Sequence, residues 1–184
     1  PHTAIKIMTE KVKIKNVDDS KTQELFQILI KELAIGGFIQ YEVSSFGKEG
    51  FFSKNNSSYW LGVAYLGIGP SAHSFDGKQR SWNIKNNTKY IKSIQENVLP
   101  IERETLSTTD QYNEFVMTGL RTIWGVSLEK IKDNFGKKYL DYLQNQSKKH
   151  IEETLLFVEN GTLKTGEKGR FLVDGIAADL FMLN

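Results

Sequence analysis

The stretch Gln40–Phe75 reads QYEVSSFGKEGFFSKNNSSYWLGVAYLGIGPSAHSF, and the rest of the chain is organised around it. Polar groups (Gln40, Glu42, Asn55, Asn56, Tyr59, His73, Ser74) alternate here with glycines and aromatic residues. Such a mixture suits a ligand-facing edge better than a packed core. Phe38–Val43 reads as a strand, and Tyr65–Gly69 as a shorter one closed by Gly69-Pro70. Between them Ser44–Ser58 reads as a polar loop, long enough to suggest a functional one. Asp76–Asn87, with Arg80 and Trp82, reads as a second loop.

Upstream of this stretch, Ser20–Leu33 has the period of an amphipathic helix. Leu25, Phe26, Leu29, Ile30 and Leu33 fall on one face, and Ser20 and Gln23 have capping-box spacing. Gly36-Gly37 stops it. Residues 1–18 read as extended or irregular. Downstream, Thr88–Val98 reads as a short helix with Tyr90, Ile91 and Ile94 inward, and a domain boundary is expected near residues 99–106. The remainder is mostly helical. A capping-box start at Ser107 and Asp110 leads to about Ile123, with Phe115, Val116 and Leu120 on one face. Ser127–Phe135 and Lys137 to about Thr154 follow, separated by Gly136. Leu155–Glu159 and Thr162–Lys164 flank Asn160-Gly161, the strongest two-residue hairpin signal. Thr165 is expected to cap a last helix. Helices, a hairpin and a packing helix suggest a small winged-helix-like unit, and the fold class is α/β.

Composition narrows the function. The 184 residues carry 24 Lys and Arg against 22 Asp and Glu, a net charge of +2. The charges are interleaved, so the locally basic Lys148-Lys149-His150 and Lys164, Lys168, Arg170 read as solvated faces. A nucleic-acid partner is not expected. No apolar run reaches the roughly 20 residues of a membrane span, and PHTAIKIMTEK lacks a signal-peptide core, so a cytoplasmic protein is expected. The chain does not begin with Met, which suggests a processed or truncated piece. With no cysteine, the chain holds no disulfide, zinc-thiolate site, Cys nucleophile or cysteine-ligated iron–sulfur cluster. No metal site is expected either, since His2 and His150 are remote in sequence from His73. There is no P-loop, no H-E-x-x-H and no Ser-His-Asp pattern. Gly67-Ile68-Gly69 is a lone G-x-G, which spacing alone reads as a plain turn. A single histidine is more often structural than functional, but His73 stands beside Ser74 in a turn-rich stretch and is a candidate. Glu42 could face solvent, pair with a base or point into a barrel lumen.

The order of segments says more than any one of them. GGFIQYEVSSF, NNSSYW, YLGIGPSAHSF, RSWNIKN with Tyr90-Ile91, NEFVMTGLRTIWGV and KGRFLVDGIAADLF together resemble the C-terminal half of the radical-SAM oxygen-independent coproporphyrinogen III oxidases. The match is closer to their haem-chaperone branch. The resemblance implies an incomplete parallel (β/α) barrel, its last part being residues 1–100, followed by a helical winged-helix-like C-terminal domain over 101–184. It also implies a 4Fe–4S cluster held by CxxxCxxC and a bound S-adenosylmethionine in the full protein, in a half that this chain lacks. Alone, the chain is then expected to bind no cluster and to be inactive in radical chemistry.

Carried over residue by residue, the resemblance places Gly67, Gly69, Ala72 and His73 at the cofactor. It gives Gln40, Asn55, Asn56 and Tyr59 to haem or substrate. Asn55-Asn56-Ser57-Ser58-Tyr59 matches the chaperones' HNxxY motif, with Asn55 at the histidine position. An amide oxygen is a poorer ligand for haem iron than imidazole, which leaves His73 or another group as the alternative ligand. The function implied is haem chaperoning with transfer to a haem-accepting protein. The alternatives are true coproporphyrinogen III oxidation and, from the hairpin and last helix alone, a winged-helix DNA-binding module. A half barrel leaves a strand edge unpaired, so self-association through Phe38–Val43 or the N-terminal edge is expected.

Overall fold

The computed structural model describes residues 18–183, so the expectation for residues 1–17 lies outside it. Helix α1 spans Asp19–Ile35. Its cap is two residues earlier than the Ser20–Gln23 spacing suggests, because the Asp18 carboxylate accepts from the Ser20 backbone N–H at 2.9 Å and from its hydroxyl at 2.6 Å. Its end is a Schellman motif: Phe38 N–H donates to the Leu33 carbonyl at 3.0 Å and Gly37 N–H to that of Ala34 at 2.9 Å. Gly37 makes the turn at φ +77°, where a Cβ would be strained.

The next elements are β1 (Ile39–Glu42), β2 (Ser45–Gly47), α2 (Lys54–Trp60), β3 (His73–Phe75), β4 (Gln79–Asn83), α3 (Asn87–Gln95) and β5 (Ile101–Thr105). Strand β1 turns straight back into β2, and β3, β4 and β5 form a separate antiparallel sheet in that order. Three expectations change here. The supposed loop Ser44–Ser58 contains β2 and the start of α2, whose first turn is capped by the Ser53 hydroxyl accepting from Asn56 N–H at 3.3 Å. The supposed loop after Asp76 contains β4, which finds partners on both sides. Tyr65–Gly69 is not a strand: only Tyr65 pairs, in an isolated bridge to Phe75. Leu66 and Ile68 are 79% and 85% exposed. Every strand pair among the described residues is antiparallel, so Gln40–Val43 and Tyr65–Gly69 are not joined as neighbouring barrel strands. Helix α3 forms as expected, but its inward face is only partly covered: Tyr90 is half-buried while Ile91 and Ile94 are exposed.

From Leu106 onward the chain builds the core. Helix α4 (Thr108–Leu120) starts with the expected capping box: the Ser107 hydroxyl accepts from Asp110 N–H, and the Asp110 carboxylate accepts from Ser107 N–H. Strand β6 (Val126–Ser127), α5 (Leu128–Phe135), α6 (Lys137–Glu152), β7 (Leu156–Glu159) and β8 (Thr162–Thr165) follow. The hairpin turns on Asn160 and Gly161 at φ +49° and +72°, and β6 adds to it in the order β6–β8–β7. A 3-10 turn (Glu167–Leu172) and α7 (Val173–Asp179) end the fold. Thr165 does not cap that helix. It lies in β8, and its hydroxyl donates to the Leu120 carbonyl at 2.7 Å.

Tyr112, Val116, Leu120, Val126, Ile131, Leu143, Leu163, Ile176 and Leu180 close the core among these elements. The Tyr112 phenol donates to the Leu180 carbonyl at 3.2 Å, and burial pushes its pKa upward. No described helix is long and apolar enough to cross a membrane.

Strand β1 docks on this core through polar groups. Val43 N–H donates to the Arg121 carbonyl at 3.0 Å, and Ile123 N–H to that of Tyr41 at 3.1 Å. The buried Glu42 carboxylate accepts from Arg121 Nη2 at 3.0 Å, from Ser44 N–H at 3.1 Å and from the Ser45 hydroxyl at 2.8 Å. Arg121 also pairs with Asp174 and lies 4.9 Å from the Trp60 ring centre. Glu42 therefore takes the second of its three readings, a pair with a base.

Candidate functional site

Directly opposed residues in an antiparallel pair share a face, and successive residues alternate between faces. The register of β3, β4 and β5 therefore composes a face row by row. One row is His73, Trp82 and Glu102; the next is Phe75, Arg80 and Glu104, extended by Tyr65 through its bridge to Phe75. Tyr59 of α2 closes the side, its ring centre 6.0 Å from that of Tyr65. Together Tyr59, Tyr65, His73, Arg80, Trp82 and Glu104 line an open cleft of about 620 Å³.

Hydrogen bonds and charge fix the cleft's parts. The Trp82 indole N–H donates to Glu102 at 2.9 Å, which holds the ring 6.0 Å from the exposed His73 imidazole. Arg80 forms an ion pair with Glu114, which reaches across from α4. Burial raises the pKa of Glu114, and the Arg80 guanidinium pulls against that rise. Burial also raises the Tyr65 phenol, with Tyr59 adding to the effect. Tyr65 therefore stays a neutral phenol near pH 7. An imidazole nitrogen suits a metal centre, so His73 is the residue of this cleft that could hold haem iron.

Of the residues singled out from sequence, the structure brings His73 and Tyr59 together in this cleft. Asn55 is exposed on α2, one helical turn before Tyr59 and on the same side of the helix. Asn56 is spent internally: its amide N donates to the Tyr41 hydroxyl at 3.1 Å and to Ser45 at 3.0 Å, and its oxygen accepts from the Trp60 indole at 3.1 Å. Gln40 is buried and likewise spent, donating to the Val43 carbonyl at 2.7 Å and accepting from Arg170 at 2.8 Å.

Gly67 and Gly69 border the other face of the sheet. Gly67 N–H donates to the Ser74 hydroxyl at 2.9 Å, and the buried Asn83 amide donates to the Gly69 carbonyl at 2.8 Å. A methyl group at Gly67 would stand 2.0 Å from the His73 carbonyl oxygen, so its smallness serves a close backbone approach. The Ala72 carbonyl accepts from Asn83 N–H at 3.0 Å and ties the turn to β4. Arg80, Trp82, Tyr65 and Glu104 were not singled out from sequence. Only the pairing of β4 with β3 and β5 places Arg80, Trp82 and Glu104 beside His73, and the bridge to Phe75 places Tyr65.

Comparison with known proteins agrees with this architecture. Residues 106–172 match the HemN C-terminal domain family. The chain is 27% identical over 173 residues to the haem chaperone HemW of Bacillus subtilis, covering 94% of this chain and 46% of that protein. It is 30% identical over 167 residues to HemW of Lactococcus lactis, covering 86% and 44%. It is also 30% identical over 193 residues to radical S-adenosyl methionine domain-containing protein 1, mitochondrial, of Dictyostelium discoideum, covering 90% and 43%. The solved structure of the radical-SAM enzyme coproporphyrinogen III oxidase, HemN, from Escherichia coli shares the fold. Its TM-score is 0.71 at 18% identity, over 96% of this chain and 45% of that one. The chain thus spans about half the length of the relatives it matches.

Proposed function

We propose that this chain, which belongs to the HemN- and HemW-like radical-SAM family, handles haem as part of a chaperone, with the His73 face as its ligand side. The observation that carries the reading is an exposed imidazole set among Tyr59, Tyr65 and Trp82 in one open cleft. Aromatic walls bury a flat macrocycle, and an imidazole supplies the bond to its iron. Tyr59 keeps the tyrosine of the chaperone motif at the cleft, and Asn55, one turn away, leaves ligation to His73. The chain supplies no thiolate for a 4Fe–4S cluster, so cluster and radical steps are outside its own residues.

Where S-adenosylmethionine is present in the complete protein, the turn from Gly67 through Gly69 and Ala72 to His73 is the edge we assign to it. In the same reading residues 1–100 complete a barrel and 101–184 act as a winged-helix-like cover, working in the cytoplasm and passing haem to an accepting protein.

Haem titration followed by the Soret band tests this. A shifted band at micromolar haem is expected, reduced at least tenfold in affinity for His73→Ala and retained in Tyr59→Phe. Absence of any shift in the wild-type chain would remove the reading. The fold shared with HemN favours a second reading, coproporphyrinogen III oxidation. Anaerobic formation of protoporphyrinogen IX by a longer protein carrying this chain would replace the chaperone role.

A further inference from the structure

The charges on the cleft face do not cancel. Glu102 and Glu104 stand on it, opposite Trp82 and Arg80 in the strand register. Its cation, Arg80, is already neutralised by Glu114 from α4. Among the described residues, two carboxylates therefore remain uncompensated on the face that holds His73. The strand that carries them is two strand spacings from His73, roughly 10 Å, which is about one Debye length at 0.1 M salt. A field of this sign stabilises the more positive of two states of any iron held there. Ferric porphyrin has one more positive charge at its centre than ferrous porphyrin.

We propose that this face selects ferric over ferrous haem, with Glu104 and Glu102 supplying the preference and Arg80 opposing it. The inference rests on the reading that haem binds at His73. Glu104 is the cleaner probe, since Glu102 also holds the Trp82 indole. The sign of each substitution is fixed. Removing the Glu104 charge weakens the preference for the ferric form. Removing the Arg80 charge leaves Glu114 unopposed and strengthens it.

The test is a spectroelectrochemical titration of the haem-loaded chain, with separate Soret titrations of ferric and ferrous haem. Relative to wild type, Glu104→Gln is expected to lower the ferric-to-ferrous affinity ratio about three- to tenfold. A tenfold change equals a rise of 59 mV in midpoint potential for a one-electron couple. Arg80→Gln is expected to move the potential the other way, and raised salt to shrink both shifts. Binding of haem with an unchanged ratio in Glu104→Gln, or shifts of the same sign in both variants, would overturn the inference while leaving haem binding intact. A wild-type chain that binds neither form would overturn the haem reading itself.

Discussion

At the residue scale, the decisive side chains are those whose partners leave them no freedom or complete freedom. Glu42 has none. It is 4% exposed and accepts from Arg121, Ser44 and Ser45. Removing it strands a largely buried guanidinium whose Nε–H has no hydrogen-bond partner among the described residues. Truncating one member of a buried pair costs about 3–5 kcal/mol, because the other charge stays desolvated. Glu42→Ala is therefore expected to lower stability in urea by about 3 kcal/mol or more. A loss under about 1 kcal/mol would mean that Asp174 alone satisfies Arg121. His73 is the opposite case, exposed and with no side-chain hydrogen bond among the described residues; its substitution should leave the urea midpoint unchanged while, on the proposed reading, removing haem ligation. Gln40 and Asn56 show why residue type alone misleads: both look like ligand groups in the sequence, and both are consumed by hydrogen bonds within the fold.

At the scale of elements, local signals were legible and distant pairings were not. The Ser107–Asp110 box, the Gly36-Gly37 stop and the Asn160-Gly161 turn each depend on residues within a few positions, and each forms where the sequence puts it. Strand β4 depends on Phe75 on one side and Glu104 on the other, which no local pattern encodes. The apolar run at Tyr65–Gly69 has strand composition but among the described residues pairs only through one bridge, so the pattern does not become a strand there. The same non-local register assembles the cleft, which is why His73 was visible in the sequence and its neighbours on the sheet were not.

The cap of α4 makes a pH-dependent prediction. Hydrogen bonds from the Ser107 hydroxyl and backbone hold Asp110 below the usual carboxylate range. A depressed carboxylate contributes stability that is present above its unfolded pKa, about 3.9, and is lost as pH falls through the lower folded value. Ser107→Ala should return the Asp110 titration toward its ordinary position by NMR and flatten the acid limb of stability. An Asp110 titration unmoved by the substitution would place the cause of its depression elsewhere.

At the scale of the molecule, burial is uneven. The continuous core is built from residues after Leu106, whereas α1, α3 and the turn at Leu66 keep apolar side chains in solvent. Leu25, Ile28 and Leu29 are exposed on α1; Leu66, Ile68 and Phe51 are more so. Exposed apolar groups in such numbers favour association, since each square ångström removed from water returns roughly 25 cal/mol. The β1–β2 hairpin adds a further route: residues 121–123 cover β1 at Tyr41–Val43, but among the described residues no strand pairs with the outer edge of the three-residue β2. The chain is therefore expected to self-associate as its concentration rises, with a weight-average mass by light scattering that climbs above the 21.0 kDa of one copy. Leu66→Lys with Ile68→Lys should hold the mass near one copy if the turn is the contact, and leave it climbing if the β1–β2 hairpin is. A wild-type mass constant at one copy across that range would show that these faces stay solvated in spite of their composition, and that neither the turn nor the hairpin edge is sticky enough to join two chains.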